Sequence, residues 1–131
     1  MEKSKGKMIL LVDDDERNTF ALTSFLDTLD LQFQIARDGM EALRILRGDT
    51  HFDLVLLDMM MPEMDGYETL ANIRSDANLA SLPVIALTAK AMKGDREKCL
   101  EAGATDYLSK PLDLKMLVQK MESCLTQPNP R

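Results

Sequence analysis

Histidine is nearly absent from this chain. His51 is the only one, and it sits in a polar stretch, which argues against a His-based catalytic triad or a His-rich metal site. Cysteine is also sparse. Cys99 and Cys124 form no C-x-x-C pair, and nothing in their placement suggests export, so both thiols are expected to be reduced, in the cytoplasm. Positive charge is in deficit: 16 Lys and Arg face 22 Asp and Glu, a net charge of −6. A phosphate backbone would be repelled by such a surface, so nucleic acid is not an expected partner. No hydrophobic run approaches the ~18 residues of a membrane span, and no membrane contact by this chain is expected. Residues 1–7 are polar and basic, and the apolar run behind them is too short for the core of a signal peptide. Internal repeats and low-complexity linkers are missing as well.

What remains is the balance of one folded domain. Of 131 residues, 45% are apolar and 29% charged. A chain of this length buries roughly two thirds of its unfolded surface and needs no disulfide or structural metal to fold. Short apolar runs at 8–12 (MILLV), 54–57 (LVLL) and 84–87 (VIAL) are too short for helices and read as buried strands. Residues 32–36 (QFQIA) alternate and suit an edge strand, and 106–109 (DYLS) is a weaker fifth. Helical spacing fills the gaps, at 17–29, 39–47, 67–75 and 94–102, with Gly103 placed to cap the fourth helix. A last helix carries Leu114, Leu117, Val118, Met121 and Leu125 behind an Asp113 N-cap. The predicted fold class is α/β, a (βα)₅ doubly wound parallel five-stranded sheet in a three-layer α/β/α sandwich. One domain is expected over 8–125, with tails at 1–7 and 126–131.

Ligands of such a sheet bind beyond the carboxyl ends of its strands. The first strand runs into Asp13-Asp14-Asp15, the third into Asp58, the fourth into Thr88 and the fifth into Lys110-Pro111. Taken singly these have ordinary readings: Asp15 is read as a helix N-cap, and Thr88 or Lys110 alone would be structural or solvated. Together they load four strand ends with complementary chemistry. Clustered carboxylates favour holding a proton unless a cation sits among them. With no His or Cys at these strand ends, the donor set is all oxygen, which suits Mg²⁺, with Mn²⁺ as the alternative. A lysine and a threonine hydroxyl complete a cradle for a phosphoryl group, and a carboxylate can be its acceptor. Asp58 is the candidate acceptor because its strand is the predicted central one.

These residues resemble the receiver domain of two-component response regulators. Asp13-Asp14 after ILLV looks like that family's acidic pair. LVLLDMMMPEMDG (54–66) looks like its phosphorylation segment, ALTA (86–89) like its threonine motif and YLSKP (107–111) like its lysine-proline motif. The resemblance covers about 8–125 in the right order, and it implies the flavodoxin-like receiver fold. It also implies that Asp58 accepts a phosphoryl group from a phosphohistidine of a histidine kinase or histidine phosphotransfer domain. Asp14, Asp58 and the backbone carbonyl of Met60 would ligate Mg²⁺, with Asp13 acting through a water. Lys110 would contact the phosphoryl oxygens. Thr88 would move toward them as Tyr107 turns inward, switching the surface of the fourth helix, fifth strand and fifth helix. Met60 and Lys90 would tune turnover. In this reading the chain is a switch that catalyses only its own phosphorylation and dephosphorylation.

Softer expectations remain open. Met59-Met60-Met61 reads equally as a flexible partner surface and as ordinary loop residues. Gly66 is expected to serve the turn into the third helix. Two rival functions use similar residues. A haloacid-dehalogenase-type phosphatase would use Asp13 and Asp15 as D-x-D but leaves 58–66 unexplained. A flavin module would need a phosphate loop where three aspartates stand. No output domain is expected after the last helix, so the chain reads as a stand-alone receiver or one cut from a hybrid kinase. The expected partners are a histidine kinase or histidine phosphotransfer domain upstream and a protein target downstream.

Overall fold

Strands and helices alternate without exception in the computed structural model, which describes residues 6–60, 65–88 and 94–126. In chain order they are β1 (Met8–Val12), α1 (Glu16–Thr28), β2 (Gln32–Ala36), α2 (Gly39–Leu46) and β3 (Leu54–Asp58). There follow α3 (Gly66–Ser75), β4 (Val84–Thr88), α4 (Asp95–Glu101), β5 (Asp106–Ser109) and α5 (Leu114–Thr126). All pairings are parallel, in the order β2-β1-β3-β4-β5. β3 is therefore central and β2 lies at an edge, as their sequences predict. β3 and β4 are apolar until their last residue and are buried throughout. The alternating β2 keeps Gln32 and Gln34 exposed.

Strand alternation divides the core into two layers. Leu10, Val12, Val55, Leu57, Val84 and Ala86 point to the side covered by α2, α3 and α4. Ile9, Leu11, Leu54, Leu56, Ile85, Leu87 and Leu108 point to the side covered by α1 and α5. Phe52 is among the largest fully buried side chains, and the rest of the buried core is aliphatic side chains with Met59, Met121 and the two cysteines. Both cysteines are free and buried, and burial pushes the Cys124 thiol up to about 11. Among the described residues no helix is long and apolar enough to cross a membrane.

Element ends depart from the sequence expectation by one residue, and capping explains most of the departures. Asp15 and Asp65 accept hydrogen bonds from Arg17 and Glu68 N–H, so α1 starts at Glu16 and α3 at Gly66, each one residue early. Asp113 caps α5 as expected, accepting from Lys115 N–H at 2.9 Å. Gly94 is left-handed, with φ 97°, so α4 starts one residue late, at Asp95. Gly103 (φ 112°) closes α4: its N–H donates to Leu100 and that of Ala104 to Cys99. β3 and β4 each run one residue further, because Met59 N–H bonds Leu87 C=O at 2.9 Å and Lys110 N–H bonds Thr88 C=O at 2.7 Å. Asp58 and Thr88 are thus ladder residues held by the sheet.

Candidate functional site

At the carboxyl edge of β1 and β3 three carboxylates converge. One oxygen each from Asp13, Asp14 and Asp58 lies within 4.8 Å of the others, Asp14 being exposed and the other two buried. Register brings this about: Val12 pairs with Leu57, so the next residue of each chain stands side by side. The Lys110 ammonium, half-buried, reaches the cluster from the far side of β4. Its Nζ lies 3.7 Å from Asp13 Oδ2 and 3.7 Å from Asp58 Oδ2. The Lys110–Pro111 peptide is cis.

Backbone donors aim the two buried carboxylates. Asp15 N–H donates to Asp13 Oδ1 at 2.9 Å, and Met60 N–H donates to Asp58 Oδ1 at 2.9 Å. Each is an aspartate accepting from the residue two positions on, the local geometry that suits Asp at a strand-to-helix turn. Both Oδ2 atoms are left facing Lys110. Asp13 Oδ2 is buried and accepts no hydrogen bond. Its carboxyl group is held above the usual range, chiefly by burial, with the Asp58 and Asp14 charges adding to it. The Asp15 N–H and Lys110 oppose the shift. A shielded oxygen without a hydrogen donor, beside two more carboxylates, fits a hard divalent cation.

The residues expected from sequence are distributed as follows. Asp13, Asp14, Asp58 and Lys110 come together. Thr88 ends β4 buried, between Leu87, which pairs with Asp58, and the fifth strand, where it pairs with Ser109. Tyr107 is half-buried and packs on the α2–α3–α4 layer. Met60 is 49% exposed at the rim. Lys90, and with it Met61 and Pro62 of the segment 54–66, lies outside the described residues.

Two expectations are corrected. Met59 is 1% exposed and belongs to the core, so it offers no partner surface. Gly66 is not there for a turn conformation: it is the first residue of α3 and lies against the backbone of Met59. Sequence reasoning also missed the Asp15 and Met60 N–H donors. The signal was present in the repeated Asp spacing 13–15 and in the residue two beyond Asp58.

The family profile of the response regulator receiver domain matches residues 9–122. The polar-differentiation response regulator DivK of Brucella ovis is 34% identical over 119 residues, 91% of this chain and 96% of that protein. Among solved structures, the receiver domain of the sensor histidine kinase PA1611 of Pseudomonas aeruginosa PAO1 has a magnesium ion coordinated in its active site cleft. It superposes with a TM-score of 0.85 at 36% identity, over 93% of this chain and 99% of that one. The receiver domain of Saccharomyces cerevisiae Ssk1, solved in complex with the histidine phosphotransfer protein Ypd1, gives 0.84 at 27% identity, over 92% and 90%.

Proposed function

This chain belongs to the response regulator receiver domain family, and from that premise we propose that Asp58 is its phosphoacceptor. The observation that supports this is the pairing of a buried, backbone-aimed carboxylate with a lysine at 3.7 Å and two further acids. The donor is a phosphohistidine on a histidine kinase or a histidine phosphotransfer domain, of the kind Ypd1 represents for Ssk1. An Asp58 oxygen attacks phosphorus, the P–O bond forms as the P–N bond breaks, and the imidazole leaves with the electron pair.

Asp14, Asp58 and the Met60 carbonyl would hold Mg²⁺ (or Mn²⁺), with Asp13 acting through a water. The bound cation supplies charge neutralisation at the phosphoryl oxygens. Lys110 binds a phosphoryl oxygen as a fixed charge, and Thr88 donates its hydroxyl to another. Turnover is set at the rim, by Met60 and Lys90. The chain acts in the cytoplasm as a switch that catalyses only its own phosphorylation and dephosphorylation, through a domain spanning 8–125. Its output is a change at α4, β5 and α5, in which Tyr107 turns inward.

The test is chemical. With Mg²⁺ and acetyl phosphate the chain should take up one phosphoryl group, acid-stable and base-labile as an acyl phosphate is. Asp58→Asn should carry none. Full labelling of that variant would falsify the assignment, and label retained on Asp13 would point to the phosphatase-like chemistry.

A further inference from the structure

The phosphoacceptor loop is fixed by a contact with a residue that has no side chain. Gly66 opens α3 and is buried. A β-carbon added there would stand 2.4 Å from Met59 Cα, 2.6 Å from Met59 Sδ and 2.9 Å from the carbonyl oxygen of Asp58. Two of those three atoms are backbone, which has no rotamer with which to step aside.

Neither partner in this contact is free to retreat. Met59 is fully buried, and its N–H is tied to Leu87 of β4 at 2.9 Å. On the other side, α3 is pinned by its own N-terminus and core face. Asp65 accepts from Glu68 N–H at 2.9 Å, its carbonyl accepts from the Thr69 hydroxyl at 2.9 Å, and Leu70 and Ile73 are fully buried. Gly66 N–H also reaches the Met59 carbonyl at 3.4 Å. The chain between Asp58 and Met60 is therefore clamped between β4 and α3. That same chain carries the acceptor carboxylate, the N–H that aims it and the carbonyl assigned to the cation.

We infer that Gly66 is a positioning residue for the phosphoacceptor: its bare α-carbon lets α3 press on Met59 and so hold Asp58 and Met60 in their reactive places. The inference rests on the proposed role of Asp58. Reaching ordinary van der Waals distance from 2.4 Å needs a displacement of roughly 1 Å, and a misplacement of that size costs on the order of a hundredfold in rate.

The experiment compares Gly66→Ala with Gly103→Ala. The second substitution is also strained, at φ 112° with Arg74 Cγ 2.8 Å from the added carbon, but it lies in the turn before β5, away from the acids. Two quantities are read on each variant: Mg²⁺ affinity by calorimetry, and hydrogen exchange of the Met60 amide without metal. Gly66→Ala should weaken Mg²⁺ binding tenfold or more and speed Met60 exchange tenfold or more. Gly103→Ala should leave both within about twofold of wild type even if its Tm falls as far. Equal behaviour of the two variants overturns the inference, since both effects are then general destabilisation. If Gly66→Ala does not fold, Met59→Ala decides it, because deleting Sδ loosens the same clamp. A threefold or larger effect on both readouts, beyond what Gly103→Ala shows at a comparable loss of Tm, supports the inference, and values no different from that control or from wild type overturn it. Wild-type protein that binds no Mg²⁺ would sink the reading of the site instead, and the metal-free Met60 exchange would still judge the clamp.

Discussion

Ionising Asp13 in the metal-free protein charges a side chain with no solvent exposure, next to two other acids. Because its carboxyl is held above the usual range by burial, the folded state keeps this proton longer than the unfolded state does. The contribution to stability is therefore present at acid pH and lost as pH rises from the unfolded value through the folded one. This sign is opposite to that of a salt-bridged aspartate. Asp13→Asn keeps the acceptor for Asp15 N–H and removes the charge. It should raise the metal-free Tm at neutral pH, where a gain of about 1 kcal/mol corresponds to roughly 4 °C. It should also shrink the stabilisation that added Mg²⁺ produces. A thermal melt at pH 7 with EDTA checks the first part, and a lower Tm would show that the Lys110 contact outweighs the repulsion. The acids themselves were legible in the sequence, because aspartates directly after apolar strands are conspicuous. Asp13's shielding was not, because it depends on what the neighbouring strands and Lys110 cover.

Helix α4 is held unevenly along its length. Its start has a left-handed Gly94 and no side-chain cap, whereas its end is closed by Gly103 and gripped by Arg74 of α3. The Arg74 guanidinium donates to the carbonyls of Gly103 at 2.8 Å, Leu82 at 2.7 Å and Ala80 at 3.1 Å, and reaches Thr105 Oγ1 at 3.5 Å. One side chain thus ties α3 to the turns that precede β4 and β5. Arg74→Ala leaves several carbonyls without a charged donor and should cost about 2–3 kcal/mol. The measurement is urea unfolding, with Asp58 phosphorylation retained. A midpoint unchanged from wild type would mean that water replaces the guanidinium without loss. The elements were readable from periodicity and caps, within one residue at most ends. Arg74 was not, because its acceptors come from separate turns that only the fold brings together.

Across the whole molecule, strand alternation puts the candidate site residues on two faces of the sheet. Asp58 and Lys110 fall on the alternation of Leu56 and Leu108, toward α1 and α5. Thr88 and Tyr107 fall on that of Ala86 and the half of the core under α4. Tyr107 pairs with Ala86, two residues before Thr88, so on the proposed function a shift of threonine toward a phosphoryl group should be felt on the face that carries tyrosine and α4. Thr88→Ala removes one neutral hydrogen bond of roughly 1 kcal/mol. It should leave Asp58 phosphorylatable yet blunt the NMR shift changes that beryllofluoride induces at Tyr107 and across α4. Lys110→Ala loses a charge-assisted contact of roughly 1.5–3 kcal/mol, and should disturb phosphoryl turnover as well as the switch. A full beryllofluoride response in Thr88→Ala would exclude threonine as the coupling group. The order of strands and helices along the chain and the residues at the strand ends were determined by sequence alone, since apolar period and turn chemistry act over a few neighbouring residues. The tertiary structure decided which of those ends meet, how Asp13 is shielded and why position 66 must lack a side chain. These depend on register and close approach between segments distant in the chain, which no local pattern encodes.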